Sequence, residues 1–369
     1  MKWNWQKAAW PHFSFEPVNL DGLEREFLKA SGVLQGAFKH LKDDDRSELT
    51  VSLISEEAFK TSEIEGEILN RDSVQSSIRR ELGLQTDTRR IPPAEAGIAE
   101  MMVDVHKRWQ EPLTDKTLFS WSAMLLKGSR DLMDVGCYRT HSDPMQVVSG
   151  EPGKPKVHFE APPSKNVPSE MKKFLMWFNG KQSRPTLTRA GLAHLYFVSI
   201  HPFEDGNGRI GRAVSEVALA QSLGRPSLIA LAATIEKKRK QYYEALERNN
   251  KELDVTDWLL WFGETVVEAQ AQSISQIEFL IAKTRLYDRL AGKLNERQQK
   301  ALARMFREGA DGFKGGLSAG NYMNITGAMS STATRDLQDL VEKGALTRTG
   351  ERRHMRYYLA LDGIGRKST

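Results

Sequence analysis

Cysteine is nearly absent from this sequence, since Cys137 is the only one among 369 residues. A single cysteine excludes a disulfide within the chain and is typical of proteins from the reducing cytoplasm. Cys137 could act as a nucleophile, but a lone cysteine favours a packing role. Long apolar runs are also missing, because no stretch approaches the roughly 18 residues that span a bilayer. The sequence therefore predicts a cytoplasmic protein that makes no membrane contact.

A strong excess of one charge is lacking as well. The chain has 53 Lys and Arg against 48 Asp and Glu, a net charge of +5. This balance does not by itself indicate a nucleic-acid partner. Hydrophobic residues make up 40% and charged residues 27%, as in ordinary globular proteins. A chain of this length predicts two or three domains with ample buried core.

Apolar residues recur at helical spacing along most of the chain. Leu23, Phe27 and Leu34, for example, share one face of the stretch from Leu20 to Lys39. The pattern predicts a mainly α fold, with helices near 20–39, 48–60, 72–82, 95–110, 115–127, 168–180, 186–200, 210–223, 236–249, 257–282, 295–307 and 330–343.

The first twenty residues form a separate aromatic segment. They contain Trp3, Trp5, Trp10 and Phe13, together with two prolines. Large rings would not remain in water unaided, so we expect an extended arm or a hairpin that packs onto a domain.

Two short β-hairpins interrupt the helices. Strand-like pieces at 145–148 and 156–159 predict the first hairpin, and pieces at 346–349 and 355–359 predict the second. The second follows two helices, separated by a glycine-rich break at 309–320, in the order of a winged helix-turn-helix module. From 293 to 369 there are 14 Lys and Arg against 8 Asp and Glu, an excess of 14 − 8 = +6. The positive charge of the chain therefore concentrates in this last segment.

The densest chemistry lies in the segment from His201 to Arg212, which reads HPFEDGNGRIGR. Its glycines suit a turn whose N–H groups close on an anion, and the turn leads into the predicted helix. A helix N-terminus favours phosphate, and Arg209 and Arg212 lie three apart on its first turn. His201 is the candidate general base, since imidazole accepts a proton near neutral pH. Asp205 could hold Mg²⁺, which prefers carboxylate and phosphate oxygens.

This segment resembles the signature of the Fic family, His-Pro-Phe-x-(Asp/Glu)-Gly-Asn-Gly-Arg-x-x-Arg, at every defining position. The resemblance implies a Fic-type helical core with a short β-hairpin flap, and transfer of AMP from ATP to Ser, Thr or Tyr hydroxyls of proteins. It implies that His201 is the catalytic base, that Asp205 is the metal ligand, and that Mg²⁺ is the cofactor. The ATP-binding positions that it implies are Lys156, Val157 and His158 of the flap, Asp205, Gly206, Asn207, Gly208, Arg209, Arg212, Tyr242, Tyr243 and Asn250.

A second motif, Thr61 to Gly66, fits the inhibitory pattern of the same family, (Ser/Thr)-x-x-x-Glu-(Gly/Asn). Thr61 and Glu65 share one helix face at i and i+4. The resemblance implies that Glu65 pairs with Arg212 and blocks the γ-phosphate position. In some family members the equivalent glutamate instead supports removal of AMP, and the sequence leaves both roles open.

These patterns divide the chain into an N-terminal arm with an inhibitory region (1–93), a Fic catalytic domain (94–285) and a C-terminal winged-helix domain (286–369). The last domain could bind DNA, through Ser331, Thr332, Thr334 and Arg335 and through Arg352, Arg353 and Arg356. It could equally dock a protein or form a homodimer. The alternative function is therefore a DNA-binding transcriptional regulator whose Fic domain senses nucleotide. A third hypothesis keeps the transfer but changes the donor, to phosphocholine, UMP or phosphate.

Overall fold

A computed structural model describes residues 2–129, 131–150, 156–181, 183–309, 313 and 315–361. These residues are mainly helical with short hairpins, so the predicted fold class is confirmed. The elements are α1 (Asp21–Lys39), α2 (Asp43–Ile64), α3 (Arg71–Glu81), α4 (Pro93–Arg108), α5 (Asp115–Leu125), β1 (Gln146–Ser149), β2 (Lys156–Glu160), α6 (Val167–Asn179), α7 (Thr186–Ile200), α8 (Asn207–Leu223), α9 (Leu231–Lys237), α10 (Arg239–Asn249), α11 (Thr256–Arg289), α12 (Glu296–Phe306), α13 (Ala319–Thr326), α14 (Ser330–Glu342), β3 (Leu346–Thr349) and β4 (Arg356–Leu359).

Several helix predictions were wrong in detail, and both α2 and α11 extend beyond the expected bounds of 48–60 and 257–282. The predicted helix at 236–249 is two helices, α9 and α10, that meet at Lys238. Helix α8 begins at Asn207, three residues before the expected position. Gly206 is its N-cap, so the helix starts directly after the loop glycine and not at the first apolar residue, Ile210. Helix α13 (Ala319–Thr326) was not predicted: it begins at the end of the glycine-rich break at 309–320 and continues into residues to which no helix was assigned. The Ser318 hydroxyl caps it by accepting a hydrogen bond from the Asn321 N–H, and Tyr322 anchors it in the interior.

The chain forms two compact units. The first comprises 1–32 and 46–271, and the second comprises 33–45 and 272–369. Helices α1, α2 and α11 each contribute residues to both. The division into 1–93, 94–285 and 286–369 stays a prediction.

Helix α7 is the centre of the first unit, since nearly every one of its side chains is buried. It packs against α8, and the residues that join them form the candidate site. Aromatic rings on α6 and α7, including Phe174, Tyr196 and Phe197, make edge-on contacts that fill the space between these helices. The N-terminal arm packs onto the same core, where Trp10 and Phe13 meet Tyr196.

The second unit places α12, α13 and α14 around one small core, followed by the antiparallel hairpin β3–β4. A single bridge pairs Leu317 with Tyr357 of β4. Asp336 of α14 accepts hydrogen bonds from Arg297 and from the Tyr322 hydroxyl, so one buried carboxylate ties the three helices together. Three helices therefore precede the hairpin, where the sequence indicated two.

The hairpin β1–β2 is antiparallel and carries a bulge between Val147 and Val148. All of β1 is exposed, and Phe159 is the one fully buried side chain of β2. The connection between the two predicted strand pieces, 149–155, falls largely outside the described residues. The packing role expected for Cys137 is wrong, because this residue is exposed. Among the described helices, none has the length and apolar content needed to cross a membrane.

Candidate active site

The loop between α7 and α8 is built from its own side chains. His201 adopts a left-handed conformation (φ 52°), and its N–H closes the last turn of α7 on the Phe197 carbonyl at 3.1 Å. Asn207 accepts from the Phe203 N–H at 2.9 Å and donates to the Phe203 carbonyl at 2.8 Å. Phe203 is fully buried below the loop. Asn207 therefore shapes the loop through its side chain, and the backbone N–H groups at the start of α8 form a helix N-terminus of the kind that favours an anion.

Gly206 is required by the backbone of this loop. Its φ of 84° lies in the left-handed region, and a Cβ there would strike Leu125. Arg139, a residue that no sequence pattern singles out, holds the loop from behind. Its Nε donates to the His201 carbonyl at 2.8 Å, and its backbone N–H donates to the Pro202 carbonyl at 3.0 Å.

The His201 imidazole is arranged as a neutral proton acceptor. Nδ1 lies 3.3 Å from the Val198 carbonyl, and a carbonyl can only accept, so this nitrogen carries the hydrogen. Nε2 then holds the free lone pair. Burial lowers the pKa of His201 to about 4, with a further contribution from the Arg139 charge. The imidazole is therefore deprotonated at neutral pH.

Arg212 is completely engaged by the end of α2. Its Nε donates to the Thr61 hydroxyl at 2.7 Å, and its Nη2 donates to the Thr61 carbonyl at 2.9 Å and to Glu65 Oε1 at 2.7 Å. The arginine side chain is 1% exposed, and that of Glu65 is 28% exposed. Burial acts to raise the pKa of Glu65, but the charge and hydrogen bond of Arg212 outweigh it and hold this pKa below its ordinary value. The ion pair is thus fully charged at neutral pH.

The Glu65 carboxylate lies directly over the first turn of α8. A Cβ at Gly208 would overlap its Oε1. Helix α2 ends at Ile64, and Gly66 turns the chain with a φ of 87°, a conformation that glycine adopts without strain. The carboxylate therefore occupies the position at a helix N-terminus where a phosphate would bind.

Arg209 is held by a second carboxylate of the same segment. Its Nη1 donates to Glu67 Oε2 at 2.5 Å, and its Nη2 lies 3.4 Å from Asp205 Oδ2. The Arg209 side chain is 7% exposed, whereas that of Asp205 is 54% exposed. Glu63, the first member of the acidic run, pairs with Lys60 at 2.7 Å instead. The acidic residues of the run 63–67 therefore divide, with one paired to Lys60 and two paired to the arginines of α8.

Two adjacent tyrosines border this cluster and differ in their surroundings. Tyr242 is 1% exposed, and its hydroxyl lies 2.8 Å from His194 Nε2 and 3.4 Å from Arg212 Nη1. Burial lowers the pKa of His194 to about 3, so this imidazole stays neutral. The half-exposed Tyr243 donates to Glu65 Oε2 at 3.3 Å. Tyr242 thus supports the arginine from within, and Tyr243 faces the carboxylate.

The predicted flap residues lie beside the end of α10. His158 Nδ1 is 2.8 Å from Glu247 Oε2, and the exposed Lys156 pairs with the same carboxylate at 3.3 Å. The amide of Asn250 donates to the His158 carbonyl at 3.0 Å. Val157 is partly exposed. Of the predicted site residues, the structure therefore groups Lys156, His158 and Asn250 at the flap, and Thr61, Glu65, Tyr242 and Tyr243 around the arginines of the 201–212 segment.

Residues 3–84 match a domain of unknown function (DUF4172), and residues 112–219 match the Fic/DOC family. The chain is 36% identical over 83 residues to a protein adenylyltransferase Fic of Drosophila mojavensis, which is 22% of this chain and 16% of that protein. It is 31% identical over 64 residues to a probable protein adenylyltransferase of Aquifex aeolicus, which is 17% of this chain and 20% of that protein. The matched part thus spans a fifth or less of these relatives.

Solved structures of Fic proteins resemble this chain over most of its length. A Fic family protein from Desulfovibrio desulfuricans superposes with a TM-score of 0.55 at 20% identity, over 97% of this chain and 99% of that one. Fic-1 from C. elegans superposes with a TM-score of 0.51 at 21% identity, over 73% of this chain and 74% of that chain. At such identity the likeness concerns the fold alone.

Proposed function

We propose, from the Fic/DOC domain that residues 112–219 form, that this protein is an adenylyltransferase. It would transfer AMP from ATP to Ser, Thr or Tyr hydroxyls of target proteins and of itself. The observation that carries the proposal is the arrangement at 201–212, where a neutral imidazole and two buried arginines surround the N-terminus of one helix. The adenylyltransferase names of the partial relatives agree with this chemistry.

In the proposed reaction, Nε2 of His201 accepts the proton of the target hydroxyl. The hydroxyl oxygen attacks the α-phosphorus of ATP, the bond from that phosphorus to the bridging oxygen breaks, and pyrophosphate leaves with its electron pair. Arg209 and Arg212 would bind the β- and γ-phosphates through their planar guanidinium groups. The N–H groups at the start of α8 would stabilise the charge that develops on the phosphate oxygens.

The residues fit a magnesium ion bound together with the nucleotide. Among the described residues no group of three or more His, Cys, Asp or Glu side chains could hold a metal by itself. Mg²⁺, however, is commonly held by one carboxylate and by substrate phosphates. Asp205 offers an exposed carboxylate at the mouth of the loop, where it would hold the ion. Bound there, the ion would neutralise phosphate charge.

We further propose that the end of α2 inhibits this reaction. Glu65 takes the hydrogen bonds of Arg212 that the γ-phosphate needs, and Glu67 takes those of Arg209. ATP would have to displace both carboxylates from buried arginines before its phosphates are held. Glu65 could also support removal of AMP from a modified protein, since its carboxylate lies beside the same anion-binding turn.

Replacement of Glu65 tests the proposal. We expect Glu65→Gly to raise incorporation of AMP at least severalfold at saturating ATP and Mg²⁺, because Arg212 is then free for the phosphates. Mass spectrometry of the protein after incubation would identify the transferred group and distinguish AMP from UMP, phosphate or phosphocholine.

Two controls make this result specific. Glu63→Gly removes a neighbouring carboxylate that pairs with Lys60, and we expect it to leave the rate unchanged. Glu65→Gly combined with His201→Ala should abolish transfer. Equal activity of wild type and Glu65→Gly would contradict the inhibition, and transfer without His201 would contradict the mechanism.

The second candidate function is that of a DNA-binding regulator with a nucleotide-sensing Fic domain. The residues that support this function lie in the second unit. Helix α14 exposes Ser331, Thr334 and Arg335, and the hairpin β3–β4 contains Arg348 and Arg356. Such a surface would suit the phosphate backbone of DNA. Salt-dependent DNA binding without any AMP transfer would favour this function over the first. A homodimer or a docked protein would use the same unit.

A further inference from the structure

The flap hairpin β1–β2 has little stability of its own. Every residue of β1 is exposed, and Phe159 is the one fully buried side chain of β2. A two-stranded hairpin is only marginally stable in water without further packing. What holds the flap beside the site must therefore come from the contacts that other segments make with β2.

The N-terminal arm makes two of these contacts. The indole Nε1 of Trp5 donates to the Glu160 carbonyl at 2.7 Å. The Trp3 ring meets Phe159 edge to face, with ring centroids 5.5 Å apart. One contact fixes the backbone of the strand and the other covers its buried side chain.

Asn250 also holds the backbone of this strand, whose His158 and Lys156 side chains pair with Glu247. Its side-chain amide donates to the His158 carbonyl at 3.0 Å. His158 and Glu160 are two residues apart, so their carbonyls point to the same edge of β2. Asn250 and Trp5 therefore hold one edge of the flap at two successive positions.

Asn4 ties the arm to the rest of the site. Its backbone N–H donates to the Asn250 carbonyl at 2.8 Å, and its side-chain amide donates to the Ser199 hydroxyl at 2.9 Å. Its Oδ1 accepts a hydrogen bond from the Trp5 N–H at 2.7 Å. The Asn4 side chain is fully buried, and both ends of its amide are therefore hydrogen-bonded. Ser199 lies two residues before His201 on α7. One asparagine thus connects the arm, the catalytic helix and the end of α10.

We propose that Trp5 and Asn4 are positioning residues of the active site, which fix the flap strand and Asn250 against the helix that carries His201. This inference rests on the proposed transferase function, and it gives a role to the first residues of the DUF4172 region. Purely apolar packing would leave β2 free to slide, whereas hydrogen bonds to its carbonyls set its register. The arm therefore determines where the flap edge lies relative to the imidazole.

The test compares two tryptophans of the arm in the Glu65→Gly protein. Trp5→Phe keeps an aromatic ring but removes the bond to Glu160. Trp10→Phe is the matched control, because the Trp10 indole donates at 2.8 Å to Glu170 of α6, away from the flap. Hydrogen–deuterium exchange of the amides at 156–160 reports flap position without any need for transfer activity.

We expect Trp5→Phe to speed exchange of these amides about threefold to tenfold, the equilibrium equivalent of one net hydrogen bond. It should lower kcat for self-modification while the KM for ATP and the melting temperature stay near those of Trp10→Phe. Equal flap exchange in the two variants would overturn the proposal, as would a loss of ATP affinity with kcat unchanged. If Glu65→Gly shows no transfer at all, the proposed function fails, and the exchange data still decide whether the arm holds the flap.

Discussion

Arg212 is the residue on which most of the site converges. Thr61, Glu65 and Tyr242 surround its guanidinium, and the Tyr242 hydroxyl also contacts the neutral His194. An arginine buried to this extent needs a partner for its charge, because an unpaired buried charge costs several kcal/mol. Removal of Glu65 without a nucleotide would leave that charge uncompensated. Once Glu65 is displaced, a bound polyphosphate would compensate the charge of Arg212, so the cost of the unpaired charge would favour binding of the polyphosphate.

The proposed role of His201 as the base predicts how transfer depends on pH. Its pKa is lowered to about 4, so the imidazole is already the free base at every pH above about 5. In Glu65→Gly the negative charge that raises this pKa is gone, which keeps it low. We expect kcat/KM of that variant to be flat from about pH 5.5 to 8 and to fall as the imidazole protonates at lower pH. Measured rates with a midpoint near 6.5 would contradict the depressed pKa, and ATP affinity over the same range serves as the control.

At the scale of elements, the site is a contact between the end of α2 and the start of α8. The two arginines of α8 are three residues apart, and the two carboxylates that meet them, Glu65 and Glu67, are two apart beyond the end of α2. The turn at Gly66 allows this, since residues two apart would diverge on a continued helix. Glu65 and Glu67 therefore lie at the spacing of Arg212 and Arg209, and two neighbouring phosphates would need the same spacing to bind both arginines.

Glu67 gives this element a test of its own. In the Glu65→Gly background we expect Glu67→Gln to raise the affinity for ATP and ADP about threefold to tenfold, because a charge-assisted hydrogen bond no longer competes for Arg209. The affinity for AMP, which lacks the β- and γ-phosphates, should stay unchanged. Calorimetric titration measures all three nucleotides. Glu63→Gln is the matched control, and identical affinities of the two variants would show that Glu67 does not compete.

At the scale of the whole molecule, the first unit contains two carboxyl groups, Glu57 and Glu216, whose pKa values burial raises and which the proposed reaction does not use. Glu57 of α2 accepts from the Ala232 N–H at 2.7 Å, and Glu216 of α8 accepts from the Ser227 hydroxyl at 2.5 Å. Burial raises the pKa of Glu57 to about 8, and the charge of Glu216 adds to this effect. Burial also raises the pKa of Glu216 to about 7. Glu57 and Glu216 line one small cavity together with His106. Burial lowers the pKa of this histidine.

These carboxyl groups make folding stability depend on pH. The native state keeps protons that the unfolded chain releases above its ordinary carboxyl pKa of 4.5, so stability falls as pH rises from there to about 8. Glu57→Gln has no proton to lose and retains an acceptor for the Ala232 N–H. We expect its melting temperature to exceed that of the wild type by roughly 5 °C at pH 8, the size that about 2 kcal/mol produces, and to approach it at pH 5. Thermal unfolding from pH 5 to pH 8 measures this difference in melting temperature. Parallel curves of melting temperature against pH for the two proteins would contradict the prediction, and Glu63→Gln is the control variant.

Most helices, both hairpins and the segments 61–66 and 201–212 could be located from the sequence, because they depend on local spacing. Apolar residues at helical intervals predict a helix, and the glycines of the loop predict a turn into α8. The contact between Glu65 and Arg212 was expected from a family pattern that spans 147 positions, and the structure brings the two side chains together. The roles of these residues in binding and transfer stay predictions.

Other parts of the site were decided by the tertiary structure alone. Glu67 reads in the sequence as one more member of an acidic run, and its pairing with Arg209 depends on how α2 ends against α8. Arg139 and His194 carry no local signal, since each acts on a segment at least 48 positions away. The aromatic pattern predicts that Trp5 packs onto a domain, but its partner Glu160 lies 155 positions away and has no such signal. Local spacing fixes which residues share a helix face or a turn. Which faces meet, and which buried groups then need one another as partners, is fixed only when the whole core packs.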